Sequence, residues 1–391
     1  MKKSTLYYIW LTLGIGFCST KVRYIHKLYS DISKLYEGSE QELRLCGVFT
    51  EHEIDKLLKT DLSASEAILR RSEELNFKVY DISMSEYPDR LRQIPDAPAV
   101  IYVSGELPDF DSINSVAIVG TRKATVYGIK TAMNLGINLS KSGFAVISGG
   151  ALGIDCAAHK GVLQAKGTAI CVLGCGIDYN YLMENKDLRD AVEKTGALVS
   201  EYPPGHPSSS HNFPQRNRII SALSDGVVVV EAPIKSGSMI TVDFALKQGK
   251  DVFAVMGNVD SPYSAGSNLL IKEGAVPVTC WQDVVEFYKG VVDEGVYEEL
   301  ANDSNSVASV PSKNKDINAH SVNKPVPVHK PDINLTDDEK SVYYAIGNDP
   351  VHIDVITDRT SLPPHVVIRI VSSLELKDLI ENTNGRFYAL K

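Results

Sequence analysis

Six apolar runs rich in β-branched residues constrain the fold of this chain more than any other feature of its sequence. The runs are residues 116–120, 144–150, 168–174, 197–202, 226–232 and 251–257. Strands as continuously apolar as these belong to parallel sheets that are covered on both faces. Helical patterns fill most of the gaps, at residues 126–141, 154–165, 185–194, 215–223 and 239–248. The sequence therefore predicts an α/β fold with a doubly wound, mostly parallel sheet.

The segments on either side of this core have different patterns. Residues 1–80 carry apolar side chains at helical spacings with glycine breaks, which predicts a small helical domain of the helix-hairpin-helix or SAM-like type. Residues 290–334 are rich in Ser, Asn, Pro, Lys and Asp, which predicts a flexible linker. Residues 335–391 predict three helices and a hairpin that turns at Asn384–Gly385, the pattern of a winged helix. The core between these segments is expected to span residues 81–289.

Bulk composition limits the compartment and the partners. The chain has 391 residues, 43% of them hydrophobic and 23% charged, as in an ordinary globular protein. Its formal net charge of −9 disfavours nucleic acid as a partner unless basic residues are locally clustered. Six dilute cysteines indicate a reducing, cytoplasmic compartment. The apolar run from Leu6 to Phe17 is too short to span a bilayer and lacks a cleavage site, so we expect a core helix and no membrane partner.

One group of residues has the composition of a zinc site. It consists of Cys156, His159, Cys171 and Cys175. Because Cys171 and Cys175 belong to an apolar strand, whose side chains alternate between faces or are buried, we expect structural cysteines and no cofactor.

Ligands of a doubly wound sheet bind beyond the carboxyl ends of its strands, and two loops there can approach an anion closely. Gly120-Thr121-Arg122-Lys123 follows the first run, and the Arg122 guanidinium can make a forked contact with a phosphate. Ser148-Gly149-Gly150 follows the second run and leads to a helix N-terminus, where Asp155 is expected to cap the helix or hold a basic neighbour.

Two later loops add an aromatic ring and more positive charge. The segment around Asn212 and Phe213 continues into Arg216-Asn217-Arg218. Proteins that bind single-stranded nucleic acid without sequence preference stack bases on aromatic rings and pair phosphates with arginines. Lys235-Ser236-Gly237-Ser238 begins a further helix whose N-terminus suits an anion. The basic side chains of all four loops are expected to form one local patch on the sheet edge.

The motifs of the common nucleotide enzymes are missing. The sequence contains no GxxxxGK[ST], no GxGxxG with a downstream acidic partner, and no motif-supported Ser-His-Asp or Cys-His set. A pocket that binds anions without an evident general base or metal predicts a binding protein and not an enzyme.

The sequence resembles the DNA-processing protein A family, also called DprA/Smf. The resemblance is dense over residues 80–290, in VGTRKATVYG, SGGALGIDCAAHKG, VLGCGIDYNYLMEN, SEYPPGHPSSSHNFPQRNRIISALSDGVVVVEA and SGSMITVDFALKQGKDVFAVMGNVDSPYSAGSNLLIKEGA. Two positions depart from the family pattern. Thr121 replaces the common Ser and keeps the hydroxyl, and Met256 replaces the usual Pro and affects at most a turn.

The resemblance implies an extended Rossmann-like core that binds single-stranded DNA during DNA uptake and natural transformation. It also implies a homodimer that protects incoming strands, displaces single-strand-binding protein and helps to load the RecA recombinase. Sixteen residues are then expected to line the strand. They are Gly120, Thr121, Arg122, Lys123, Ser148, Gly149, Gly150, Asn212, Phe213, Arg216, Asn217, Arg218, Lys235, Ser236, Gly237 and Ser238.

Two alternatives compete with this interpretation. A Rossmann-type nucleotide phosphoribohydrolase would carry PGGxGTxxE, but the nearest stretch, residues 235–241, lacks the paired glycines and has Thr241 near the position of the catalytic Glu. A transcription regulator would read DNA with the winged helix, but its presumed recognition helix, residues 364–376, offers Arg369 alone as a donor, with Val367 and Ile370 expected in the core.

Overall fold

The computed structural model describes residues 3–288, 336–346, 351–360, 362–377, 379–384 and 387–390. The chain divides into two units, residues 1–310 and 311–391. The linker predicted at 290–334 lies outside the described residues, and so does Gly385 of the predicted hairpin turn.

A sheet of nine strands organises the first unit, in the order β1-β2-β6-β5-β4-β3-β7-β8-β9. The strands are β1 (Lys78–Asp81), β2 (Val100–Gly105), β3 (Ser115–Val119), β4 (Ala145–Ser148), β5 (Ala169–Leu173), β6 (Ala197–Ser200), β7 (Gly226–Val229), β8 (Asp251–Val255) and β9 (Val276–Val278). Every pair from β6 to β9 is parallel, whereas β2 pairs antiparallel with both β6 and β1. The predicted doubly wound, mostly parallel sheet is confirmed, and each of the six predicted runs overlaps a strand.

Helices cover both faces of this sheet. They are α1 (Lys3–Ile15), α2 (Lys21–Leu28), α3 (Ser33–Tyr36), α4 (Glu40–Leu45), α5 (Glu51–Lys59), α6 (Leu62–Glu74), α7 (Asp89–Arg92), α8 (Val126–Lys141), α9 (Ile154–Gln164), a 3₁₀ turn (Met183–Asn185), α10 (Lys186–Thr195), α11 (Asn212–Leu223), α12 (Gly237–Lys247), α13 (Ala265–Lys272) and α14 (Trp281–Phe287). In β3, Ala117 and Val119 join one buried cluster, whereas Val116 and Ile118 join another. Both faces are therefore apolar because both are covered, which explains the continuous apolar runs.

The helices are divided between the two faces by their buried side chains. Those of α8, α9, α10 and α14 pack into the cluster that contains Val116, and those of α11, α12 and α13 into the cluster that contains Ala117. The buried side chains of the N-terminal helices belong to the second of these clusters, so they share one core with the sheet.

The N-terminal apolar segment forms α1 and is part of this core. Trp10 is almost completely buried, and its indole N–H donates to the carbonyl oxygens of Leu57 (3.2 Å) and Thr60 (2.9 Å). In the described residues no helix is both long and apolar enough to cross a membrane. The sequence analysis did not predict β1, which starts within the segment expected to be helical, nor β2 and β9.

The second unit has the three predicted helices and a small sheet. Its elements are α15 (Asp337–Ile346), β10 (Val351–His352), α16 (Ile353–Thr360), α17 (Pro364–Leu376), β11 (Ile380–Asn384) and β12 (Phe387–Leu390). The strands pair in the order β10-β12-β11, so the predicted hairpin is present. In α17, Val367 and Ile370 are buried in the core and Arg369 is exposed, as the sequence predicts.

Candidate nucleic-acid interface

A cleft of about 570 Å³ opens beyond the carboxyl ends of β3 and β7. Ten of the sixteen predicted residues line it, namely Gly120, Thr121, Arg122, Phe213, Arg216, Asn217, Lys235, Ser236, Gly237 and Ser238. These residues come from three segments, and Ala151 and Asp155 line the cleft from a fourth. The sheet brings the segments together because its parallel strands, β3 to β9, all end at this edge. The cleft is therefore built where the fold was expected to bind a ligand.

Close backbone contact between two loops forms one wall. Gly153 precedes α9 with φ +81°, and a Cβ there would lie 2.3 Å from the carbonyl oxygen of Thr121. The Ile154 N–H donates to that same oxygen at 3.3 Å. An L-residue at 153 would be strained in this conformation and would also clash, so glycine permits the β3–α8 loop and the start of α9 to meet.

An arginine and an aromatic ring occupy another wall. The exposed Arg122 guanidinium lies 5.7 Å from the centroid of the half-buried Phe213 ring. The neighbouring Asn212 amide donates to the carbonyl oxygen of Gly174 at 3.1 Å, which fixes the start of α11. A cation beside a ring face gives one site that can pair with a phosphate and contact an apolar base.

Arg216 forms the floor of the cleft and is held by the protein itself. Its side chain is 5% exposed and donates to the carbonyl oxygen of Gly149 at 2.8 Å and to that of Val172. Burial lowers the pKa of Arg216, and the Asp155 carboxylate opposes that shift. Because its guanidinium is already bonded to carbonyl oxygens, Arg216 makes the floor of the cleft electrically positive and is not free to form a forked pair with a phosphate.

Asp155 also lines the cleft, and its carboxylate is committed to the glycine loop. It accepts from the backbone N–H groups of Gly149 (3.1 Å) and Ala151 (3.4 Å). Burial raises the pKa of Asp155, while the Arg216 guanidinium and these N–H groups act in the opposite direction. Of the two alternatives expected for Asp155, the basic neighbour is present in Arg216. The carboxylate does not cap α9, because the N-cap is Gly153 and the bound N–H groups precede the helix.

The start of α12 completes the cleft with hydroxyl and N–H groups. Ser236 caps the helix by accepting from the Ser238 N–H at 3.4 Å, and the two hydroxyl groups are 2.7 Å apart. Lys235 is exposed beside them. A helix N-terminus with adjacent hydroxyl groups and a lysine is suited to bind an anion.

The cleft also contains residues that the sequence analysis missed. Ser208, Ser209 and Ser210 line it, from the loop between β6 and α11. Ile240 and Thr241 line it from the first turns of α12. Runs of serine are common in surface loops, so the composition of residues 208–210 did not indicate a binding site.

The four predicted loops lead to the starts of α8, α9, α11 and α12, and protein carboxylates already bind at two of these. Glu231 accepts from the N–H (2.9 Å) and the hydroxyl (2.6 Å) of Thr125 at the start of α8. The Asp155 carboxylate accepts hydrogen bonds from backbone N–H groups just before α9. A bound carboxylate neutralises the positive end of the helix dipole, so α11 and α12 remain the ends available to an added anion.

Arg218 does not reach the cleft. The guanidinium is 1% exposed and pairs with both oxygens of Glu201 at 2.9 Å and with Asp96 at 3.1 Å. The N-terminal region joins this network through the Cys18 N–H, which donates to Glu201 at 3.1 Å. The predicted basic patch therefore lacks Arg218, which serves the packing of α11 instead.

The other predicted residues lie behind the cleft or beside it. The Ser148 hydroxyl is buried and donates to the carbonyl oxygen of Ile118 at 2.7 Å. The Gly150 carbonyl accepts from the Asn185 amide at 3.1 Å. Lys123 is exposed and is not among the lining residues. Within the described residues no group of three or more His, Cys, Asp or Glu side chains could hold a metal ion.

Family models and curated relatives point to one family. The model of the family DNA recombination-mediator protein A matches residues 78–289, which is more than half of the chain. The chain belongs to this family. A second model, the DprA winged helix domain, matches residues 327–386.

Relatives and solved structures of the family are similar over most of the chain. DNA processing protein DprA of Bacillus subtilis is 39% identical over 219 residues, which cover 56% of this chain and 74% of the relative. The X-ray structure of DprA from Streptococcus pneumoniae has a TM-score of 0.65 at 31% identity and covers 73% of this chain and 98% of its own. A structure of DNA processing protein A from Helicobacter pylori has a TM-score of 0.51 at 28% identity. The match covers 56% of this chain and 97% of the Helicobacter pylori chain.

Proposed function

We propose that this protein binds single-stranded DNA along the cleft at the carboxyl edge of its sheet. The observation that carries the proposal is the Arg122–Phe213 pair, in which a guanidinium lies 5.7 Å from an aromatic ring centroid opposite the start of α12. Phosphates pair with the cation and the helix end while a base contacts the ring. The solved relative from Helicobacter pylori, described for its single-stranded DNA binding mode, supports this proposal.

The protein acts without catalysis in this proposal. Among the described residues that line the cleft, Asp155 is the one carboxylate. It accepts from two backbone N–H groups, and the positive charge of Arg216 acts on it electrostatically. In the sequence motif of a phosphoribohydrolase, Thr241 falls near the position of the catalytic glutamate, and it is buried in this protein. Incubation with nucleoside monophosphates should therefore release no free base, and release of base would favour the hydrolase.

The biological role that fits this chemistry is recombination during DNA uptake. A homodimer would protect incoming single strands in the cytoplasm, displace single-strand-binding protein and help to load RecA, in natural transformation. The family name, recombination-mediator protein, supports such a role. The test is the formation of RecA filaments on strands precoated with single-strand-binding protein. We expect the unaltered protein to accelerate it and Arg122→Ala to do so less, whereas equal rates with and without the protein would contradict the role.

A further inference from the structure

The Phe213 ring is part of a longer apolar surface. The Tyr181 ring centroid lies 4.9 Å from that of Phe213, with the ring planes inclined by 33°. Both side chains are half-buried. With the Arg122 guanidinium at 5.7 Å from Phe213, a cation and two rings form one connected group that starts in the cleft. Tyr181 itself does not line the cleft.

Further apolar side chains are exposed in the loop that carries Tyr181 and in the loop bonded to it. In the loop after β5, Tyr179 is 37% and Met183 is 55% exposed. The loop after β4 contributes Leu152, which is 38% exposed. The hydrogen bond from the Asn185 amide to the Gly150 carbonyl ties these two loops together. Exposed apolar side chains grouped in this way mark binding surfaces, whereas single ones do not.

The loop that carries the two tyrosines is held in a fixed conformation. The Tyr181 N–H donates to the Tyr179 carbonyl at 2.8 Å, and the Gly176 N–H donates to the His206 carbonyl at 2.9 Å. Leu182 has a φ of +47°, in the left-handed region that a branched residue rarely adopts. Such backbone strain persists where the surroundings impose it, and it clusters at binding sites.

We propose that Tyr179 and Tyr181 form a nucleobase-stacking ledge that extends the DNA site beyond the cleft. The proposal rests on the proposed binding of single-stranded DNA and adds a second kind of contact to it. Phosphates held at Arg122 and the start of α12 leave the bases free to lie on the ledge, and every base has a face that can stack on a ring. The bases of a duplex are stacked on each other and paired, so they cannot use the ledge, which then makes the site selective for single strands.

Two DNA ligands separate the ledge from the phosphate cleft. Fluorescence anisotropy of the full chain is measured with oligo-dT and with a fully abasic strand of equal length. Tyr181→Ala and Tyr179→Ala should each weaken binding of oligo-dT by about tenfold, the effect of roughly one stacked base, and leave the abasic strand and the salt slope unchanged. Tyr181→Phe should retain the affinity because it keeps the ring. Tyr24→Ala is the matched control, since Tyr24 is 54% exposed on α2 and away from the cleft lining.

Photocrosslinking gives a readout that does not depend on an altered side chain. Oligo-dT with 5-iododeoxyuridine should crosslink to Tyr179 or Tyr181 of the unaltered protein. Crosslinks confined to other residues would overturn the ledge, as would equal losses on both strands or no loss on either. No loss on either strand is also the result expected if the surface receives an apolar segment of a partner protein. Absence of any binding by the unaltered protein would instead overturn the proposed function itself.

Discussion

Replacing Arg218 by methionine should destabilise the fold and leave DNA affinity in place. The guanidinium is 1% exposed and pairs with Glu201, which is 4% exposed, and with Asp96, which is 23% exposed. Methionine fills most of the space of the arginine stem but leaves the buried Glu201 carboxylate without its cation. Removing one partner of a buried ion pair costs roughly 3–5 kcal/mol, so the free energy of unfolding should fall by about that amount.

Urea unfolding followed by circular dichroism measures this loss, with affinity for oligo-dT measured on the folded variant. Arg44→Met is the matched control, because Arg44 also pairs with two carboxylates but is 45% exposed, and its loss should destabilise the protein far less than that of Arg218. The double variant Arg218→Met/Glu201→Gln should recover part of the loss, since no buried charge is left unpaired. A loss below that of the control, together with weaker DNA binding, would refute the structural role of Arg218.

Three further predictions follow from the site and the core. Arg122→Ala should weaken binding of oligo-dT in anisotropy titrations and make the salt slope shallower by about 0.7, the contribution of one phosphate contact on a single strand; an unchanged slope would exclude a phosphate contact. Gly149→Ala places a Cβ 2.5 Å from the Arg216 guanidinium and forces it off two carbonyl oxygens, so urea unfolding should show a loss of roughly 1.5–3 kcal/mol, and equal stability would contradict the packing. Burial lowers the pKa of His159 from 6.5 to about 4, so the folded state keeps it neutral while the unfolded chain takes up a proton. Stability should therefore fall by roughly 3 kcal/mol as the pH drops from about 6.5 to 4, and His159→Gln should lose less over this range; identical pH profiles would refute the assignment.

Much of the core architecture could be predicted because each strand between β3 and β8 is covered on both faces. Continuous apolar runs and the helical pattern of α8, which has the predicted bounds 126–141, follow directly from that burial. The strands at the two ends of the sheet gave weaker signals. β1 is four residues long and mostly half-buried, and β9 contains Pro277 at its centre. A short edge strand lacks both the length and the burial that the patterns rely on.

The candidate site was predictable in its location and less so in its details. Loops at the carboxyl edge could be identified from strand order alone. Arg216 and Arg218 are two positions apart on α11, which places them about 200° apart around the helix, so they could not both face one cleft. That signal was present in the sequence and was overlooked. The hydrogen bond from the Thr125 N–H to the Glu231 carboxylate could not be predicted, because it joins segments that are distant in the sequence.

The most direct test of the account compares single-stranded with duplex DNA of equal length in a fluorescence titration at two salt concentrations. We expect the single strand to bind more tightly at both, with affinity that falls as salt rises because phosphate contacts release counterions. Equal affinity for the two ligands, or binding that does not respond to salt, would contradict a cleft that grips a single strand by its phosphates and bases.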